Sequence, residues 1–238
     1  MCTVTYIPLE KNDFVLTSSR DVPFARERAS HPKKYIEESI EMYYPKDGKA
    51  GGTWIGVSTK NRLICLLNGG FHYHTSRVSY KKSRGLIVKD LLRVEDIHEG
   101  LNAIDLLNVE QFTLTIVDWN KNLELLEFVW DGKEKHVRTM PQKPHIWSSS
   151  TLYDEGVKQL RRNWFEDWQN TSKISPDKIV DFHRYAGIGD PHIDLMMDRN
   201  LGGTVSITSV IKSKQEVVMN YEDVLEKKGI VETLNCKS

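Results

Sequence analysis

A cysteine at position 2, an Arg-Asp pair at positions 20 and 21, and an Asn-Gly-Gly at 68–70 are the residues of this sequence best suited to chemistry. Once Met1 is removed, Cys2 carries both a thiol and a free α-amine. With a pKa of about 7.7–8.0, that amine is neutral often enough near pH 7 to take up the thiol proton a few bonds away. Removal of Met1 is expected because the side chain after it is small. If Met1 stays, Cys2 only pads the start of a strand.

Arg20 and Asp21 sit in "LTSSRDVPFARERAS", where a second strand ends and the chain leaves the sheet. If that strand forms a hairpin with the first, its end returns to Cys2. An arginine there lowers the thiol pKa by its charge, and Asp21 can orient the α-amine. As a plain turn ion pair the two would contribute little. Asn68 closes "LICLLN" and offers an amide donor, although Asn-Gly equally suits a turn after a strand.

The remaining polar candidates point to less chemistry. His72 and His74 share a face if "FHYH" is a strand, and "FHRYAGIGDPHID" adds His183 and His192 beside acids. No short-range spacing among them resembles a zinc motif, so solvated or supporting histidines are expected rather than a metal site. "SYKKSRG" ahead of a helix can meet a phosphate or simply be a solvated face. Trp164, Phe165 and Trp168 fit a core stripe better than a cofactor box, and no cofactor is expected.

The elements that position these residues are legible from turn signals and periodicity. "CTVTYI" and "FVLTSS" read as strands joined by "EKND", and "GGTWIGVS" and "RLICLLN" as strands joined by "TKN". "QFTLTIVDW" and "LELLEFVWDG" form another pair. "HVRTMPQKPHIWSSS" reads as two short strands broken by prolines, and "TVSITSVIK" with "EVVMNYEDV" as a closing pair. Helical spacing marks "SRGLIVKDLLR", a short helix from Ile97 to Ile104, and Tyr153 to Trp168. "SPDKIVDFH" starts a further helix with a Ser N-cap and Pro at the first position. Strand pairs followed by helices predict an α+β layered fold, and with no repeat or linker the 238 residues read as one domain, 1–238.

Composition removes several functions. Lys+Arg and Asp+Glu both number 33, a balance that argues against a general nucleic-acid binder. No apolar run approaches the ~20 residues of a membrane span, and without a basic stretch leading into an apolar one no secretory signal is expected. Three cysteines without CxxC spacing argue against a disulfide framework or structural zinc. A cytoplasmic location with free thiols is expected.

Taken together, the Met-Cys start, the strand ending in "SSRD" and "GGTWIGVS…NRLICLLNGG" resemble the NRDE family, also called the transport and Golgi organisation protein 2 family. The resemblance extends through "HIWSSSTLYDEGVKQLRRNWFEDW" and more weakly to "GGTVSIT". Members resemble cysteine N-terminal-nucleophile hydrolases of the penicillin V acylase and bile-salt hydrolase kind. The resemblance implies a four-layer αββα sandwich of two antiparallel sheets, Cys2 as nucleophile, Arg20 and Asp21 beside it, and Asn68 as oxyanion donor. Ser149 falls where the acylases have a second oxyanion Asn, Ser19 and Val22 replace the family's Asn and Glu, and no residue matches the acylases' distal Arg. Two functions follow as expectations. One is hydrolysis of a non-peptide amide such as an N-acyl compound. The other is non-catalytic binding or trafficking of a lipid, acyl-CoA or haem-like ligand on the same fold.

Overall fold

The computed structural model describes residues 3–77 and 79–235, so Cys2 and Cys236 lie outside the described residues. The chain is α+β, with two antiparallel sheets and four helices. In chain order the first strands are β1 (Thr3–Pro8), β2 (Phe14–Pro23), β3 (Ser30–Glu37), β4 (Ile40–Lys46), β5 (Ile55–Ser58) and β6 (Arg62–Asn68). Helices α1 (Arg84–Arg93) and α2 (Ile97–Ala103) precede β7 (Phe112–Asp118), β8 (Glu124–Trp130), β9 (Lys135–Met140) and β10 (His145–Ser148). Helices α3 (Glu155–Thr171) and α4 (Pro176–Tyr185) come next, then β11 (Gly202–Ser213), β12 (Glu216–Asp223) and β13 (Lys228–Asn235). No helix among the described residues is long and apolar enough to cross a membrane.

These elements form two compact units. The first joins Met1–Arg26 to Lys143–Asn235 and holds a six-stranded sheet ordered β10-β1-β2-β11-β12-β13. β1 is therefore paired on both sides, with Thr3 opposite Ser148 on one edge and Ser19 on the other. Helices α3 and α4 cover one face of this sheet, where Ile7, Val15, Phe165, Ile179, Phe182 and Leu195 make the core. Both helices start as their sequences dictate: Asp154 caps α3, and Ser175 caps α4 ahead of Pro176.

The second unit is built on Glu27–Gln142, a seven-stranded meander running β3 to β9 in chain order. α1 packs on β5 and β6. Arg62 fixes that packing: fully buried, it donates Nε to Asp118 at 2.7 Å and Nη1 to the carbonyls of Leu91 and Val94 at 3.0 and 2.7 Å. A cation thus answers the orphan carbonyls and negative dipole at the helix C-terminus. Gly52 is required by close approach, since a Cβ there would lie 2.4 Å from the carbonyl carbon of Gly85 at the start of α1.

Three strands carried no clear sequence signal. The β3–β4 hairpin turns through Glu38 and Ser39 at φ 52° and 65°, a left-handed pair usually given to Asn or Gly. β13 likewise follows Lys227 at φ 53°. "FHYH", by contrast, lies in a loop and forms no strand.

Candidate active site

The Arg-Asp pair lies inside β2, which runs on to Pro23, and not at its end. Arg20 sits opposite Ser206, and Asp21 sits opposite Thr204, across a register shift in β11. Each is only 4% exposed, so neither belongs to a solvated turn. Alternation along the strand sends the two side chains to opposite faces of the sheet.

Asp21 faces the helices and joins a hydrogen-bonded polar layer. Its Oδ1 accepts from Thr204 Oγ1 at 2.7 Å and its Oδ2 from Tyr153 Oη at 3.0 Å. The guanidinium of Arg161 stacks on the Tyr153 ring, 3.7 Å from its centroid. Arg161 is fully buried on α3 and has no carboxylate partner among the described residues. Its donors go to the carbonyls of Ile193 and Asp194, at 2.9 and 2.7 Å from Nη2, and to Thr3 Oγ1, at 2.6 Å from Nη1. An unpaired buried guanidinium is costly to desolvate, and here backbone oxygens and a π face offset the cost.

His183 of α4 completes this layer. Its Nε2 lies 2.9 Å from Thr5 Oγ1 and its Nδ1 2.8 Å from Ser19 Oγ, so one ring ties β1 to β2. Complete burial, followed by the positive charge of Arg161, pulls its pKa down to about 3. The ring is therefore neutral, donating through one nitrogen and accepting through the other. Thr17 donates to Ser209 at 3.1 Å to close the layer toward β11.

The opposite face of the same sheet contrasts with it. Ser18 pairs in register with Thr208, and Arg20 with Ser206, so the four project together. The three hydroxyls are fully buried and none has a hydrogen-bond partner among the described residues. Each such orphan costs on the order of 1–3 kcal/mol. A concentration of three beside Arg20 sets this end of the sheet apart from the apolar Tyr6, Leu16, Val210 and Met219 that continue the same face.

The other candidates are placed as follows. Ser149 follows β10, buried, with its Oγ 3.0 Å from Thr151 Oγ1. Asn68 is the last residue of β6 in the other unit, before Gly69 at φ 86°. His74 is 3.4 Å from Glu110, which Arg84 also meets at 3.0 Å, and His192 is exposed.

Sequence reasoning missed Arg161 and the role of His183. The available signal was positional: Arg161 sits four residues after Val157 and four before Phe165, on the apolar stripe of a helix. A charge on that stripe must be buried and therefore must be satisfied.

Comparison with solved structures identifies the fold. A Caenorhabditis elegans ortholog of N-acylethanolamine-hydrolyzing acid amidase superposes with a TM-score of 0.62 at 11% identity, covering 87% of this chain and 92% of its own. A variant of conjugated bile acid hydrolase from Clostridium perfringens gives 0.61 at 10% identity, with 98% and 92% coverage. Penicillin V acylase from Agrobacterium tumefaciens gives 0.57 at 14% identity, with 99% and 86% coverage. All three are acylases of the N-terminal-nucleophile hydrolase fold, and at these identities the likeness establishes the fold alone. No curated protein matches the sequence. The family comparison reaches further: residues 1–201 match Transport and Golgi organisation 2, and the chain belongs to that family.

Proposed function

We propose that this chain is a cysteine-dependent hydrolase of a small non-peptide amide, an N-acyl compound, with Cys2 as nucleophile after removal of Met1. The observation that carries the reading is the clamp on β1. Thr3, the residue after Cys2, is held by a fully buried arginine, and Thr5 by a buried neutral histidine. A strand fixed this firmly at its first residues suits a nucleophile that must not wander.

In this reading the α-amine of Cys2 takes the thiol proton and the thiolate attacks the amide carbon. Asn68 and Ser149 are assigned to the oxyanion, a donor of this kind being worth about 3 kcal/mol. Collapse breaks the C–N bond, and the ammonium returns its proton to the departing amine. Water, deprotonated by the same α-amine, then splits the thioester, releasing a carboxylic acid and restoring the thiol. Arg20 favours the thiolate by its charge. Asp21 accepts from Tyr153 and Thr204, yet a carboxylate has lone pairs for a further donor such as the ammonium. The solved neighbours, named as an acid amidase, an acylase and a bile acid hydrolase, support an amide as substrate.

The test is intact mass spectrometry of the purified protein incubated with a panel of N-acyl amides. Loss of Met1, turnover, and a transient acyl adduct absent from Cys2→Ala are expected. Retention of Met1 in most molecules, or ligand binding with neither adduct nor turnover, would overturn the hydrolase. The second outcome would leave a binding protein for a lipid, acyl-CoA or haem-like ligand.

A further inference from the structure

We infer that the outer groove between α3 and α4 is a binding site for an organic ammonium ion, a choline-like or methylated amine. The groove is a cavity of about 390 Å³, within the range of small-ligand sites, and is lined by Trp164, Trp168, Phe182 and Tyr185. Tyr185 is 78% exposed, an aromatic ring left in water at the rim.

Charge selects the ligand. Two carboxylates line the groove, Asp167 and Asp181, against one ammonium, Lys178. Asp181 is already answered by Lys178 at 3.6 Å and by Arg184 at 3.3 Å. The Asp167 carboxylate has no ionic or hydrogen-bonding partner among the described residues. The groove therefore carries one uncompensated negative charge among several aromatic rings. An anion is repelled, and an inorganic cation gains little from rings whose carbon surface it does not cover. A methylated ammonium matches both features, because its methyl groups bury apolar surface while its charge lies over the π faces and near the carboxylate. The site uses no residue assigned to the hydrolase and stands or falls separately from it.

The experiment is a titration of the full chain with choline, tetramethylammonium and the uncharged choline isostere 3,3-dimethylbutanol. It follows the indole N–H resonances of Trp164 and Trp168, assigned by substitution with Phe. Saturable shifts of these two resonances are expected with both cations in the millimolar range, with the isostere about tenfold weaker. Asp167→Asn, at an exposed position where folding is not at risk, should weaken choline severalfold and leave the isostere unchanged. Tyr185→Ser, also on the surface, should weaken both cations. Equal affinity for choline and its isostere, or an unaltered Asp167→Asn titration, would reduce the site to an apolar crease. Absence of saturable shifts up to about 50 mM would overturn it outright.

Discussion

His183 makes an acid-sensitivity prediction that can be worked through from its surroundings. The ring is fully buried, both nitrogens are engaged by hydroxyls, and its pKa is held near 3 by burial and by Arg161. In the unfolded chain the same ring titrates near 6.5. Between those values the unfolded state binds one more proton than the folded state, so stability falls as pH falls. The contribution is complete above about pH 6.5, erodes at up to 1.4 kcal/mol per pH unit, and stops changing below about pH 3. From pH 7 to pH 5 the loss from this residue comes to about 2 kcal/mol. Urea unfolding of wild type and His183→Gln at both pH values isolates it, because the carboxylates titrate equally in both proteins. The variant should be less stable at pH 7, having lost the bridge between Thr5 and Ser19. It should then lose about 2 kcal/mol less than wild type on acidification. Parallel losses in the two proteins would mean that His183 is charged in the fold, and the argument for a neutral bridging ring would fail.

Four further predictions separate satisfied from unsatisfied buried groups. Thr204→Val removes a donor to Asp21 and the acceptor of the Met197 N–H, and should cost about 2–3 kcal/mol in denaturant unfolding. Thr208→Val, four residues further along β11, removes a hydroxyl with no partner among the described residues and should leave stability unchanged or raised by up to about 1 kcal/mol; a loss as large as that of Thr204→Val would contradict the contrast between the two faces. Arg62→Met strands Asp118 without its cation and should cost about 3–5 kcal/mol. Arg161→Lys keeps the charge but cannot reach Thr3 and two carbonyls at once; it should lower the melting temperature and slow alkylation of Cys2, and an unchanged rate of alkylation would detach the clamp from the proposed nucleophile.

Much of the fold was written locally. Ser175-Pro176 announced α4, the polar "NKN" between two apolar runs announced the β7–β8 pair, and the prolines at 141 and 144 marked the gap between β9 and β10. What sequence left unread is what depends on distant partners. Nothing local shows that β9 and β10 belong to different sheets, or that β10 reaches back to pair with β1. The Arg-Asp pair was visible as a motif, but its strand continues to Pro23 because β11 supplies a partner on that side. The β3–β4 hairpin was invisible because Glu38 and Ser39 occupy a left-handed turn that neither favours, held by the paired strands and not by propensity.

The split composition of the first unit has a consequence for how the protein is made. Residues 27–142 are contiguous and form neighbouring hairpins, so that unit can fold while the rest of the chain is still being synthesised. β1 and β2 cannot join their sheet then. Their partners β10 and β11 emerge later, and Asp21 meets Thr204 only when a residue 183 positions further on has left the ribosome. At elongation rates of about 5–20 residues per second the interval from residue 26 to residue 143 lasts roughly 6–23 s. During that time the N-terminal segment is a nascent hairpin at most, open to methionine aminopeptidase. The clamp of Thr3 by Arg161 and of Thr5 by His183 closes only afterwards, so the window for the N-terminal processing that the proposed function requires lies before that folding step.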